Sequence, residues 1–196
     1  GVDLSRSPTE ADVEVYADDT EVTEAELLFE GNVSLRQGYR QVTADQVTAD
    51  RARETATATG NVVFREPGIL IRGSRIEYDS QSEEATITDA RYVIHDRRMV
   101  GSAVQLKRLG NGEIAIDDGR MTYCNPEDPE WILYADELEI DPVSGDAQAW
   151  GAKLQVADVP VIYLPWIRFP VDSRRKTGVL FPDMGSDTRG GVDITA

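Results

Sequence analysis

The sequence predicts an all-β fold, a sandwich, a jelly roll or an open β-solenoid, and three observations carry that expectation. Apolar residues alternate with period two from Leu27 to Val156, with almost no helical period. Turn residues interrupt the alternation at intervals of roughly ten residues, the pattern of many short strands. A two-strand unit also recurs along the chain.

The strands follow in order. Leu27, Phe29, Gly31, Val33 and Leu35 fall on one face of the first, with Glu30, Ser34 and Arg36 on the other. Ala56, Ala58, Gly60, Val62 and Phe64 make a second such face. Ile69 and Ile71, Ala85 and Ile87, Tyr92 and Ile94, Ile114 and Ile116, Leu138 and Ile140, and Ala147 and Ala149 mark those that follow. Between them lie Gln37-Gly38, Pro67-Gly68, Asp79-Ser80, Gly110-Asn111-Gly112 and Ser144-Gly145-Asp146.

Gly31-Asn32-Val33 returns 29 residues later as Gly60-Asn61-Val62, and residues 42–50 align with 71–79 at the same offset. Ala44-Asp45, Val47, Asp50, Ala56, Ala58 and Gly60 match Ala135-Asp136, Leu138, Asp141, Ala147, Ala149 and Gly151, each displaced by 91. Each unit is a strand running through Ala-Asp to a turn at the second Asp, then a strand returning through small residues to Gly. Asp50 and Asp141 invite a reading as calcium ligands or catalytic carboxylates. The stronger reading is that each bonds its own turn backbone, since calcium loops gather several carboxylates within a few residues.

Composition removes most site chemistry. At 196 residues the chain can form one compact domain with a tail, or two small ones, and take about 70% of its unfolded surface out of water without metal or disulfide staples. Its 36 acidic and 20 basic residues give a formal charge of −16, a surface that repels a phosphate backbone, so nucleic acid is excluded as the main partner. Residues 1–30 alone hold ten Asp or Glu against Arg6. The single histidine, His95, sits in a polar cluster and reads as a solvated turn residue. No zinc-ligand pairs and no glycine-rich phosphate loop occur, so neither metal nor cofactor is expected. The most apolar run, Val159 to Ile167, is broken by Pro160 and Pro165 and falls short of the ~20 residues of a membrane-spanning helix. Gly1-Val2-Asp3-Leu4 lacks a basic region followed by an apolar one, so any secretory signal is expected to have been removed. Cys124 is either a buried thiol or half of a disulfide completed outside this chain.

Two sheets faced by Ala56, Ala58, Ala147 and Ala149 cannot fill the usual ~10 Å gap between them, which predicts a tight seam or room for a guest. With Phe29, Phe64, Ile71, Ile76, Tyr78 and Ile87 close by, an apolar groove for acyl chains is one reading and a well-packed core the other. The candidate strip also takes in Val33, Val47, Val62, Tyr92, Ile116, Leu138 and Ile140.

From Trp150 onward the composition changes. Pro160, Pro165, Pro170 and Pro182 punctuate aromatic and aliphatic residues, and Arg174-Arg175-Lys176 is the one dense basic run. This reads as edge or connecting strand. Pro160, Val161, Tyr163, Pro165, Phe169, Pro170, Asp172, Arg174, Arg175, Gly178, Leu180 and Pro182 fit the string "PVxYxPxxxFPxDxRRxSGxLxP", with Thr177 for Ser. Tyr123, Cys124, Pro126, Pro129 and Trp131 fit "YxxCxPxxPxW" in part, and Leu138 sits in an "AxxLxxD" segment. In these motifs residues 27–195 resemble the lipopolysaccharide-assembly family LptD, also called OstA or Imp.

That resemblance implies an open β-jelly roll of stacked two-strand repeats leading into the first strand of an outer-membrane β-barrel. The expected division is an acidic N-terminal arm over 1–26, a periplasmic jelly roll over 27–159 and a proline-rich junction with the start of the barrel over 160–196. It implies no enzyme. It implies a domain at the periplasmic face of the outer membrane that accepts lipopolysaccharide from the periplasmic bridge protein LptA, with the lipoprotein LptE bound through the barrel. Cys124 would pair with a barrel cysteine, while a second, more N-terminal family cysteine is missing from this chain. Pro182 would weaken the first barrel strand beside its lateral opening, as its missing donor allows. The first repeat, Glu26–Arg36, is expected at a sheet edge where LptA would pair, guarded until then by the acidic arm. Two other classes compete: a docking or plug scaffold that binds no lipid, and a carbohydrate hydrolase built on a carboxylate pair.

Overall fold

Alternating apolar and polar residues between turn glycines fold the chain into one antiparallel meander. The computed structural model describes residues 7–8, 11–95, 98–170, 183–187 and 191–195. Its main sheet has 12 strands. The first six are β1 (Glu14–Tyr16), β2 (Asp19–Val22), β3 (Glu26–Gln37), β4 (Arg40–Asp50), β5 (Thr55–Glu66) and β6 (Ile69–Asp79). The others are β7 (Glu84–Ile94), β8 (Met99–Arg108), β9 (Ile114–Thr122), β10 (Trp131–Asp141), β11 (Asp146–Val156) and β12 (Val159–Pro170). From β3 to β12 sheet order is chain order, and the two ends do not pair with each other, so the sheet is open. The described residues contain no α-helix. A separate antiparallel pair, β13 (Asp183–Asp187) and β14 (Gly191–Thr195), lies near the C-terminus. Pro182 and the basic run at 174–176 lie outside the described residues.

The long strands are bent midway, and the sequence repeat marks the bends. Left-handed backbone occurs at Gly31, Asn32, Gly60, Asn61, Asp89, Asp118 and Gly151. These positions lie inside β3, β5, β7, β9 and β11, and 31, 60, 89 and 118 are each 29 apart. The ladder pairing is interrupted at the same places, with register shifts between Glu30 and Val33, Thr43 and Gln46, and Thr59 and Val62. Such bulges bend a strand and sharpen its twist. Asn61 Nδ2 donates to Asp45 Oδ2 at 2.8 Å, Asn32 Nδ2 to Asp18 Oδ2 at 2.8 Å, and Ser74 Oγ to Asp89 Oδ2 at 2.7 Å. A side chain at Gly60 would run into Asp45, and its φ of +75° disfavours any residue with a Cβ. The repeated Ala-Asp and Gly are therefore the two sides of one corner.

The second Asp of each unit does what a strand-end Asp does. Asp50 Oδ1 accepts from Ala52 N at 2.9 Å and Arg53 N at 3.0 Å, and Asp141 Oδ1 from Val143 N at 2.8 Å and Ser144 N at 3.2 Å. A hydrogen bond from the Ser144 side chain, with those backbone bonds from Ser144 and Val143, holds the Asp141 carboxyl below the usual carboxylate range.

Both ends of the sheet reach beyond the expected bounds. β3 is not the edge: Val15 pairs with Leu35 and Thr20 with Phe29, so β1 and β2 cover it as one strand broken at the corner residues Ala17 and Asp18. Part of the stretch expected as an arm is thus the edge strand itself, because Ala17-Asp18 repeats the corner pair of Ala44-Asp45. At the other end β12, placed by its prolines in the junction, pairs along its length with β11 and closes the meander at Pro170.

Candidate functional site

The inner face of the bent sheet carries two apolar rows, one on each side of the corner, set by strand register. The first runs Phe29, Val47, Ala58, Ile76, Ile87, Leu106, Ile116, Leu138, Ala149, Ile167, each directly opposite the next from β3 to β12. The second runs Leu35, Val42, Phe64, Ile71, Tyr92, Gly101, Met121, Leu133, Leu154, Ile162 across the same strands. Nine steps at ~4.8 Å make each row about 40 Å long. Between them, against the corner, sit the small or β-branched residues Val33, Ala44, Val62, Ala90, Ala103, Ala135 and Ala152, all buried.

The strip packs as two clusters. One gathers Ile87, Tyr92, Ile116 and Leu138 with Met99, Leu106, Met121, Leu133 and Phe169. The other gathers Val33, Val47, Ala58 and Val62, with Phe29, Leu35 and Val42 half-buried beside them. Ile76 packs against both, so the apolar surface is continuous from β3 to β12. Ile71 and Ile140 flank the first cluster, and Phe64 is half-buried in its row. The structure thus places thirteen of the fourteen candidate residues in these clusters or rows and buries them wholly or in part. Tyr78 differs: it shares a row with Ala56 and Ala85, and with only small neighbours over its ring it is 41% exposed.

Sequence reading placed Leu35 on the right face without counting it in the strip, and missed Val42, Leu106, Met121, Leu133 and Phe169, although each lies on an inner row or packs on it. Their period-two alternation was visible, but strand partners are fixed by register, which a single strand does not reveal. Tyr92 lies across from Gly101, whose missing side chain leaves room for the ring, and its hydroxyl donates to the Arg120 carbonyl at 3.3 Å. Burial pushes the Tyr92 phenol well above its ordinary value, and Tyr123 adds to that.

The other candidates lie elsewhere. His95 is exposed in the turn after β7, its N–H donating to the Gly68 carbonyl at 2.8 Å. Cys124 is a half-buried free thiol in the loop after β9, where its N–H donates to Thr122 Oγ1 at 3.0 Å beside the Tyr123 and Trp131 rings, which meet at 56°. A depression of about 140 Å³ brings Glu113, Glu139, Asp141 and Asp146 together near Arg168. Two of these four acids are engaged in structure: Asp146 pairs with Arg168 at 2.6 Å, and Asp141 closes its turn. No three His, Cys, Asp or Glu side chains among the described residues converge as metal ligands.

Residues 13–146 match the family model described as LptA/(LptD N-terminal domain) LPS transport protein. This chain belongs to that family. It is 32% identical over 185 residues to the LPS-assembly protein LptD of Shewanella denitrificans, covering 94% of this chain and 24% of that one. It is 34% identical over 188 residues to the LptD of Saccharophagus degradans (95% and 22%) and 37% identical over 165 residues to that of Chromohalobacter salexigens (84% and 20%). The chain therefore spans a quarter or less of these relatives' length. Among solved structures, LptH, the LptA homologous periplasmic component of the lipopolysaccharide transport device of Pseudomonas aeruginosa, aligns with a TM-score of 0.45 and 17% identity, over 56% of this chain and 80% of that one.

Proposed function

We propose that this member of the LPS-transport family is a periplasmic lipid-handling module whose inner strip shields the acyl chains of lipopolysaccharide while the sugars stay in water. The observation that supports it most is the strip itself. It is uninterrupted across ten strands, yet Phe29, Leu35, Val42, Phe64 and Ile71 remain only half-buried at its β3–β6 end. Each methylene taken from water onto such a surface contributes about 0.8 kcal/mol, so a dozen-carbon chain supplies about 10 kcal/mol before ordering costs. No catalytic step is needed for that role.

On this reading the domain sits at the periplasmic face of the outer membrane, and LptA adds a strand to the free edge of β1 and β2. Acyl chains then pass along the strip toward β12, the barrel and its partner LptE. Cys124 closes a disulfide with a barrel cysteine, and Pro182 lies beside the barrel's lateral opening. The open edges equally favour a docking scaffold that touches no lipid.

Lipopolysaccharide binding measured beside thermal melting separates the two. Phe64→Asp should abolish capture, because a carboxylate facing an acyl chain is desolvated without a partner. Arg36→Asp and Glu77→Gln, on the outer parity, should leave it intact. The milder Phe64→Leu and Ile87→Ala should lower capture by more than their melting shifts account for. A loss of binding that merely tracks melting would assign the strip to ordinary core.

A further inference from the structure

We propose that β12, with the outer face of β11 beside it, is a docking surface for the interface of a phospholipid bilayer. This goes beyond the handling of lipopolysaccharide and stands whether or not the strip holds acyl chains.

Residues Val159 to Ile167 are nine in a row without a charge, in a chain that is 29% charged. An edge strand with one face on a core should alternate apolar and polar residues. This one does not. Tyr163 and Trp166 stand on the outer parity, in register with Lys153 and Trp150, and are 60% and 51% exposed. Ile162 and Leu164 stand on the inner parity, in register with Leu154 and Ala152, and are exposed as well. Contiguous exposed apolar surface with a polar rim marks a site of protein or membrane contact.

Two features choose the membrane interface over another strand. Pro160 and Pro165 lack N–H groups, and a proline in a sheet keeps its missing donor on the free side. The free edge is then a poor template for strand addition. It is also cheaper to place in an apolar medium, where each unpaired N–H is costly. Secondly, Tyr134, Trp150, Tyr163 and Trp166 lie on the outer parity of the last three strands, and Tyr and Trp, apolar rings with a polar tip, favour the bilayer boundary. Lys153 and Arg168 flank them, each paired with an acid, Asp136 at 3.5 Å and Asp146 at 2.6 Å, so neither adds an unpaired charge to the patch. The opposite edge carries Glu14, Asp19 and Glu21, which would have to be desolvated at an apolar boundary, so the β12 end is the one that meets the membrane.

The test is sedimentation of the 196-residue chain with phosphatidylcholine vesicles free of lipopolysaccharide, with tryptophan quenching by brominated phosphatidylcholine. The expected result is binding that persists in high salt, with quenching reduced in Trp166→Phe and largely lost when Trp150→Phe is added. The pair Tyr163→Asp and Trp166→Asp should lower the bound fraction at least ten-fold at unchanged melting temperature. Val143→Asp, at a 78% exposed turn residue, should leave it unaltered. No sedimentation, or equal loss in Val143→Asp, would overturn the proposal. So would self-association removed by the Tyr163 and Trp166 substitutions, since a second copy would then be what covers the face.

Discussion

The inner face is built by one rule from β3 to β12, yet two stretches of it end up in different states. From β7 to β10, Ile87, Tyr92, Leu106, Ile116, Met121 and Leu138 are all buried, while on β11 and β12 the rows open again at Leu154, Ile162 and Ile167. From β3 to β6, Phe29, Leu35, Val42, Phe64, Ile71 and Ile76 occupy the same two rows and are only half-buried. Neighbours explain the contrast. Met99, Met121, Leu133 and Phe169 fill the space over the later strands. Over the earlier ones the wholly buried residues are Val33, Ala44, Val47, Ala58 and Val62, too short to cover the large side chains beside them. One apolar strip therefore provides a packed core over β7–β10 and accessible apolar surface over β3–β6.

Truncating the same residue type in both stretches probes that difference most strongly. Leu138→Ala should lower unfolding free energy by about 3 kcal/mol in denaturant titration, as buried leucine truncations do. Leu35→Ala, in the half-covered row, should cost about 1 kcal/mol, in proportion to the smaller area it removes from water. Equal costs would mean the two stretches are packed alike. The corner is common to both ends, so Gly60→Ala and Gly151→Ala should each cost about 2 kcal/mol, combining a left-handed alanine with displacement of Asp45 or Asp136. A much smaller cost at one of them would show that the bend relaxes there.

Two pH effects are smaller. The folded Tyr92 phenol titrates above its unfolded value, so its contribution is whole below about pH 10 and is lost as the pH rises past it, when the unfolded chain ionises first. Tyr92→Phe should flatten that alkaline loss in pH-dependent melting. Asp141 has the opposite sign: its folded carboxyl titrates below its unfolded value, so its contribution is present above about pH 4 and fades on further acidification. Asp141→Asn should lower the neutral melting temperature slightly, and the variant and the parent should converge as the pH falls below about 4.

The all-β class, the open stack of two-strand units and the 29-residue repeat at Gly31 and Gly60 were legible in the sequence, because alternation and recurring residues are local signals; that the repeat marks a corner was not. The continuation of that corner at Asp89 and Asp118 was not. There a single left-handed Asp replaces Gly-Asn, and the inner residues slip by one position, from Ile87 to Ala90 and from Ile116 to Gly119. A strict period-two reading loses the face at that step. The edge strand was also hidden, since Val15 and Thr20 lie among acidic residues that read as a solvated arm. Most of the candidate strip was found because large apolar residues are conspicuous. Which of them would be covered was not, since coverage depends on side chains brought together from other strands.

The central claim is that the half-covered end of the strip receives acyl chains, and site-specific photocrosslinking to lipopolysaccharide tests it most directly. A photoreactive residue placed singly at Phe29, Phe64, Ile116 and Arg36 samples the open stretch, the packed stretch and the outer face. The account predicts lipid adducts at Phe29 and Phe64, far fewer at Ile116 and none at Arg36. Adducts as abundant at Arg36 as at Phe64, or none with lipid at any inner position, would contradict it.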